Sequence, residues 1–390
     1  IAELVARRFP VIFVDECQDL SYVQLKLLGT LCENGCKIHL IGDLNQAIYG
    51  FRNIEPSDTS EFIENYGFDI HLLKENYRSC QPVVNASEYV VNGKNEIVGR
   101  NSGKVEFPLI AILYSKGKEK SAINKFHEYV LENNLSVEES RIIVRNHNLK
   151  NKLLGLKNNS QSYNNLETMA QVVYLLNQKE QESDFKMLFD MLAKNIQRIF
   201  FKTSEHLNSQ FFYRPKEIES KDWKKILFDI RTLLKDAKQL NDFSVTWTEW
   251  KKLLNRLMVE KIEVLPELSG CMYNIGNIRR GNKNKTVEEI LFDNKEGDLL
   301  YPIETIHGCK GMSLDAVFFL SSYQASNDEH SGGYWKQWFN RENIGEENRL
   351  AYVAFSRARY LLALGIPKPQ NFSEGDRKVL KDAGFEIIEN

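Results

Sequence analysis

The stretch that most constrains this chain is Val11-Ile12-Phe13-Val14, followed at once by Asp15 and Glu16. A short all-apolar run cut off by two adjacent carboxylates predicts a buried central strand of a parallel sheet. In open parallel sheets a ligand sits just beyond the carboxyl ends of the strands. Asp15 and Glu16 would emerge there, one able to hold Mg²⁺ and the next to activate an attacking water. That is the pattern of a Walker B strand; the plainer alternative is a core strand with a charged exit.

The chain has 390 residues, 27% charged and 42% hydrophobic, with a net charge of −2. These values predict a globular protein of two or three domains. Any grip on nucleic acid must then come from a local basic groove and not from the global field. No apolar run approaches the ~18 residues of a membrane span. No signal peptide is visible, and six scattered cysteines suit a reduced cytoplasmic setting. Cys32 and Cys36 have no second pair to complete a zinc site.

The phosphate-cradling pattern G-x-x-x-x-G-K-[ST] is missing. Gly-Lys occurs at Gly93, Gly103 and Gly117 without the following Ser or Thr. Together with a start at Ile1 close to a central strand, this predicts a C-terminal portion of a longer protein, inactive in ATP hydrolysis by itself.

After Asp19, Ser21 is placed to cap a helix to about Glu33, with Leu25, Leu28 and Leu31 as its apolar stripe and Asn34-Gly35 as its stop. Lys37 to Asp43 reads as a second strand, which makes a right-handed parallel unit. The loop beyond it carries Asp43, Gln46, Tyr49, Phe51 and Arg52. Gln46 suits orienting water or touching a terminal phosphate. Tyr49 and Phe51 offer ring faces to unpaired bases, or else are core aromatics. Phe68–Leu73 reads as a third strand leading into Lys74-Glu-Asn-Tyr77-Arg78-Ser79.

Asp-Glu-x-Gln-Asp, Gly-Asp-x-x-Gln-x-Ile-Tyr-x-Phe-Arg and Asn-Tyr-Arg-Ser, in this order and spacing, resemble successive motifs of the UvrD/Rep family of superfamily 1 DNA helicases. Two further stretches agree. Thr305-Ile-His307-Gly-Cys-Lys310-Gly311-Met-Ser313 resembles the family's Thr-x-His-x-x-Lys-Gly-Leu-Glu-Phe motif, and Glu346 to Arg359 resembles its final, arginine-bearing motif. Ser313 and Leu314 depart from the family's Glu and Phe, which leaves the nucleotide contact there open; Asp315 is the nearest candidate to compensate.

The resemblance implies an α/β fold of two RecA-like parallel-sheet domains, the first incomplete, with a mainly helical insertion in the second. The expected division is residues 1–73, 74–150, 151–295 (helical) and 296–390. The insertion shows 3.6-period helices near 165–200 and 220–262, with Trp223, Trp247 and Trp250 as packing residues. In the family an insertion here touches duplex DNA or sets activity. A longer loop is expected over 321–345, and the residues after the last strand are too few for an appended nuclease domain.

The implied activity is ATP-dependent 3′-to-5′ DNA unwinding, with ATP and Mg²⁺ as cofactors and single-stranded and tailed duplex DNA as partners. Asp15 would bind Mg²⁺ and Glu16 act as base, with Arg78 and Arg357 reaching the γ-phosphate. Tyr77 would stack on adenine, and Gly311 would lie at the nucleotide. Tyr49, Phe51, Arg52, Thr305 and His307 would meet DNA, and Lys310 a phosphate of either ligand. A narrower resemblance is to UvrD-like proteins that accompany OLD-type (Toprim) nucleases in bacterial antiphage defence, as in Gabija. A rival reading is a DNA-sensing ATPase subunit that regulates such a nuclease without unwinding.

Overall fold

The computed structural model describes residues 1–50, 54–94, 96–145, 147–154, 164–177, 182–268, 271, 273–279, 282–292, 300–323, 333–368 and 372–389. They form two compact units, Ile1–Lys150 with Leu300–Asn390, and Asn151–Leu299.

The first unit opens with α1 (Ala2–Arg8), β1 (Val11–Val14), α2 (Tyr22–Glu33) and β2 (Lys37–Leu40). Ser21 starts α2 through a capping box, its N–H donating to Gln24 Oε1 at 2.8 Å. Gly35, at φ +84°, lies just past its end, where a left-handed residue is needed. β1 and β2 pair in parallel, Val11 opposite Lys37 and Val14 opposite Leu40. Ile12, Val14, Ile38 and Leu40 pack with Leu28 and Leu31 of α2 and Ala6 of α1.

The other face of β1 corrects the expectation of a buried central strand. Phe13 is 68% exposed and stacks on His39, ring centroids 4.7 Å apart. Side chains alternate along a strand, so helices on one face cover every second residue. Among the described residues β2 is the one strand neighbour of β1. Phe68–Leu73 is likewise no strand, and Ile70, Leu72 and Leu73 are exposed. Apolar letters make a strand only where a ladder partner lies alongside.

The unit continues with α3 (Pro56–Asn65), β3 (Glu75–Asn76), α4 (Gln81–Val90), β4 (Val98–Gly99), β5 (Leu109–Tyr114), α5 (Glu119–Glu132) and β6 (Ser140–Val144), and the chain passes into the second unit within α6 (His147–Leu153). The second unit then contributes α7 (Asn165–Asn177), α8 (Glu182–Phe200), α9 (Ser220–Asp236), α10 (Trp247–Val264) and α11 (Val287–Leu291). The first unit resumes with β7 (Ile303–Thr305), β8 (Leu314–Leu320), α12 (Trp335–Trp338), α13 (Glu346–Phe355), β9 (Ala358–Pro367), α14 (Glu374–Asp382) and β10 (Glu386–Glu389). The short helix α12 falls inside the stretch expected to be loop, of which 324–332 lies outside the described residues.

The main sheet runs β10-β5-β9-β8-β6-β7, with every pair parallel. This is the parallel α/β architecture that the strand–helix alternation predicts. β5 and β8 are buried at every residue because helices cover both faces. Phe318 stacks on Phe126 of α5, while its neighbour Phe319 stacks on Trp338 of α12.

The second unit is helical around its own core. Trp223, Trp247 and Trp250 are buried in it, and Trp247 and Trp250 meet edge to face at 5.7 Å. Buried indoles need a polar partner. Trp223 Nε1 donates to the Phe212 carbonyl at 2.8 Å and Trp250 Nε1 to the Leu240 carbonyl at 3.0 Å.

Candidate active site

Beyond β1 the chain turns sharply. Glu16 adopts φ +53°, ψ +43°, the left-handed region that costs a non-glycine residue about 1–2 kcal/mol. Such strain persists where surroundings enforce it, and it clusters at functional sites. The enforcing contacts are visible. Gln18, 1% exposed, donates through Nε2 to Glu16 Oε2 at 2.5 Å and accepts the Asp43 N–H on Oε1 at 3.1 Å. Asp15 is exposed at the strand end, and its Oδ1 accepts the Glu16 N–H at 2.9 Å.

Beyond β2, Asp43 collects three donors. Its Oδ1 accepts the Asn45 N–H at 3.0 Å, and its Oδ2 accepts Gln46 Nε2 at 3.0 Å and the Tyr352 hydroxyl at 2.8 Å. With Nε2 committed, the Gln46 amide turns Oε1 toward Arg357, whose Nη2 donates to it at 3.3 Å.

Arg78, Ser313 and Arg357 gather at the amino-terminal ends of β8 and β9, where the Leu314 N–H donates to the Arg357 carbonyl at 2.9 Å. Arg78 Nε donates to Ser313 Oγ at 2.7 Å and Nη1 to the Ser356 carbonyl at 3.2 Å. Arg357, 2% exposed, donates from Nε to the Val353 carbonyl at 3.0 Å and from Nη2 to Ser356 Oγ at 2.9 Å. Burial pushes both guanidinium groups below the ordinary arginine range, and for Arg78 the nearby charges of Arg357 and Arg359 add to it. Glu16 and Asp43 are the carboxylates whose fields reach Arg357.

The loop between β7 and β8 closes on the same place. Lys310 Nζ lies 2.5 Å from Asp19 Oδ2 and 3.2 Å from Glu16 Oε2, and 5.3 Å from the Tyr49 ring centroid. His307 Nε2 is 3.0 Å from the Ile48 carbonyl, and its ring lies 5.5 Å from that of Tyr49. Thr305 is 3% exposed, and its hydroxyl accepts the Gly308 N–H at 3.2 Å. Gly311 holds φ +84° with open space where a Cβ would stand.

The structure thus brings Glu16, Gln46, Arg357 and Arg78 into one neighbourhood, with Tyr49 and His307 beside it. Tyr77 stands with its ring exposed and its hydroxyl bonded to Glu75. Phe51 and Arg52 lie outside the described residues. Asp315, the nearest candidate to compensate for the family's Glu, pairs with Arg359 at 3.2 Å and accepts the Ser136 N–H at 3.3 Å, while Ser313 itself engages Arg78. Gln18, Asp43 and Tyr352 stand inside the quoted motifs, but sequence reasoning gave them no role in the site. Their signal is positional: each is a polar letter of a motif run close to a side chain assigned a role. No cluster of three or more His, Cys, Asp or Glu able to hold a metal ion occurs among the described residues. A lone carboxylate suits Mg²⁺ that arrives already bound to phosphates.

The class follows from this arrangement: a parallel α/β protein of RecA-like design, with acidic strand ends set against the buried Arg357 and the half-buried Arg78. Residues 1–67 match the UvrD/REP helicase N-terminal domain, and residues 156–368, more than half of the chain, match the UvrD-like helicase C-terminal domain. The chain belongs to the UvrD-like helicase family. Similar proteins include the ATP-dependent DNA helicase PcrA of Bacillus subtilis, 21% identical over 93% of this chain and 56% of its own length. A Rickettsia felis protein named "Probable DNA helicase II homolog" is 24% identical over 90% of the chain and 60% of its own length. The ATP-dependent DNA helicase PcrA of Leuconostoc citreum is 32% identical over 24% of the chain and 12% of its own length. The chain spans about half the length of the curated relatives it matches along most of its residues.

Proposed function

We propose that this chain carries the catalytic carboxylates and arginine fingers of an ATP-driven motor that moves 3′ to 5′ on single-stranded DNA and separates tailed duplexes. The supporting observation is the pair Arg78 and Arg357. Both are held by neutral acceptors (a hydroxyl, an amide oxygen, backbone carbonyls) and neither has an ion-pair partner among the described residues. The carboxylates of Glu16 and Asp43 reach Arg357 only at a distance, so a bound polyanion would supply the direct counter-charge that these partly or fully buried guanidinium groups lack. The planar guanidinium fork fits phosphate oxygens and keeps its charge.

MgATP is the polyanion in this reading. Asp15 takes the magnesium ion, Glu16 accepts the proton of the attacking water, and Gln46 orients that water. Tyr77 offers its exposed ring to adenine, and Gly311 leaves backbone room for the nucleotide. Tyr49 and His307 face the DNA strand, with Thr305 holding their loop in shape.

Lys310 couples the two ligands. Its ion pairs with Asp19 and Glu16 hold the base neutralised, under the ring that a DNA base would displace. Drawing the ammonium toward a DNA phosphate releases Glu16, so hydrolysis rises when the strand is bound.

The test is Arg78→Ala and Arg357→Ala in the intact protein, with steady-state ATP hydrolysis on single-stranded DNA as the readout. A fall of about 10³-fold or more is expected for an arginine finger, with DNA binding kept. Wild-type turnover in either variant overturns the reading. Unwinding of 3′-tailed but not 5′-tailed duplexes checks the polarity.

A further inference from the structure

We infer that Tyr352 is a positioning residue for the phosphate-facing pair Gln46 and Arg357, acting through a carboxylate that it shares with Gln46. The inference rests on the active-site reading above and adds a residue to it.

Three side chains from α13 and the turn after it reach the same five-residue segment. Arg349 Nε donates to the Ala47 carbonyl at 2.8 Å, Tyr352 Oη to Asp43 Oδ2 at 2.8 Å, and Arg357 Nη2 to Gln46 Oε1 at 3.3 Å. Arg349 and Tyr352 are three apart, hence neighbours on one helix face. The helix therefore grips the 43–47 turn at successive levels, and Arg357 follows directly from the grip.

The Tyr352 contact is the informative one. Asp43 Oδ2 receives both the phenol and the Gln46 amide nitrogen. An amide has one oxygen and one NH₂ group, so fixing its nitrogen on Asp43 fixes which atom faces Arg357. If the phenol is lost, the carboxylate keeps its Asn45 and Gln46 bonds but loses its tie to α13, so the 43–47 turn and the amide it carries shift relative to Arg357. The misplacement falls on Gln46 and Arg357, while the surrounding core is unchanged because Tyr352 is otherwise a buried ring packed with its neighbours.

Tyr352→Phe removes the hydroxyl and keeps the ring. In the intact protein it is expected to lower kcat for DNA-stimulated ATP hydrolysis about 10-fold, the scale of one hydrogen bond to a charged group. KM for ATP and affinity for single-stranded DNA stay unchanged. In a Gln46→Ala background the same substitution costs nothing further, because its effect passes through the amide. A wild-type kcat for Tyr352→Phe, or losses that simply add in the double variant, overturns the inference. Arg357→Ala is the control: normal turnover there sinks the active-site reading itself, whereas a slow Arg357→Ala beside a normal Tyr352→Phe sinks this inference alone.

Discussion

Glu16 shows how a single residue joins backbone strain to chemistry. Its left-handed backbone aims the carboxylate back over the strand end, where Gln18 and Lys310 meet it. If Lys310 restrains Glu16 in the proposed role of base, Lys310→Ala in the intact protein lowers the ratio of DNA-stimulated to DNA-free ATP turnover several-fold, by about the 1–3 kcal/mol typical of coupling between sites. Equal ratios in variant and wild type would remove Lys310 from the coupling. At this scale much was legible, because Asp15, Glu16, Gln46, Arg78 and Arg357 each stand in a run whose letters and spacing are distinctive. The partners that hold them were not. Gln18, Asp43 and Tyr352 matter through contacts across as many as 309 positions of sequence, and no local pattern encodes such a contact. Thr305 is the converse case, a motif residue whose hydroxyl is spent inside its own loop.

At the scale of elements, the parallel sheet was readable because continuous apolar runs such as Leu314–Leu320 suit a strand covered on both sides. The same rule misled at Val11–Val14 and Phe68–Leu73, where an apolar run meets a helix on one face or no strand at all. α14 and β10 escaped notice because β10 is short and flanked by charge, with Glu389 held by Lys368 at 2.7 Å and by Arg377 at 2.5 Å. Close packing makes two element-level predictions. A Cβ on Gly365 of β9 would lie 2.5 Å from Leu320 Cδ1 and 2.6 Å from Phe318 Cζ. Gly365→Ala should therefore destabilise the first unit by about 1–3 kcal/mol in chemical denaturation, and an unchanged midpoint would refute the packing. In α10, Thr246 accepts the Glu249 N–H at 3.3 Å and is bonded back by its carboxylate. Thr246→Ala should cost about 1 kcal/mol, read by tryptophan fluorescence of the second unit.

For the whole molecule, the division into two compact units has a physical consequence. The second unit has its own core, centred on three buried tryptophans, and is one continuous segment of chain. Residues 151–299 expressed alone should unfold cooperatively with a tryptophan signal, as a domain with its own core does. A gradual, non-cooperative loss would show that its core depends on the rest of the chain.

The central claim is that Glu16 is the base of an ATP-hydrolysing site completed by Arg78 and Arg357. The most direct measurement is DNA-stimulated ATP hydrolysis by the intact protein beside its Glu16→Gln variant, with nucleotide binding followed in parallel. The account predicts that the variant still binds ATP while its turnover falls about 10²-fold or more, the contribution of a positioned general base. Turnover at the wild-type rate in Glu16→Gln would contradict it.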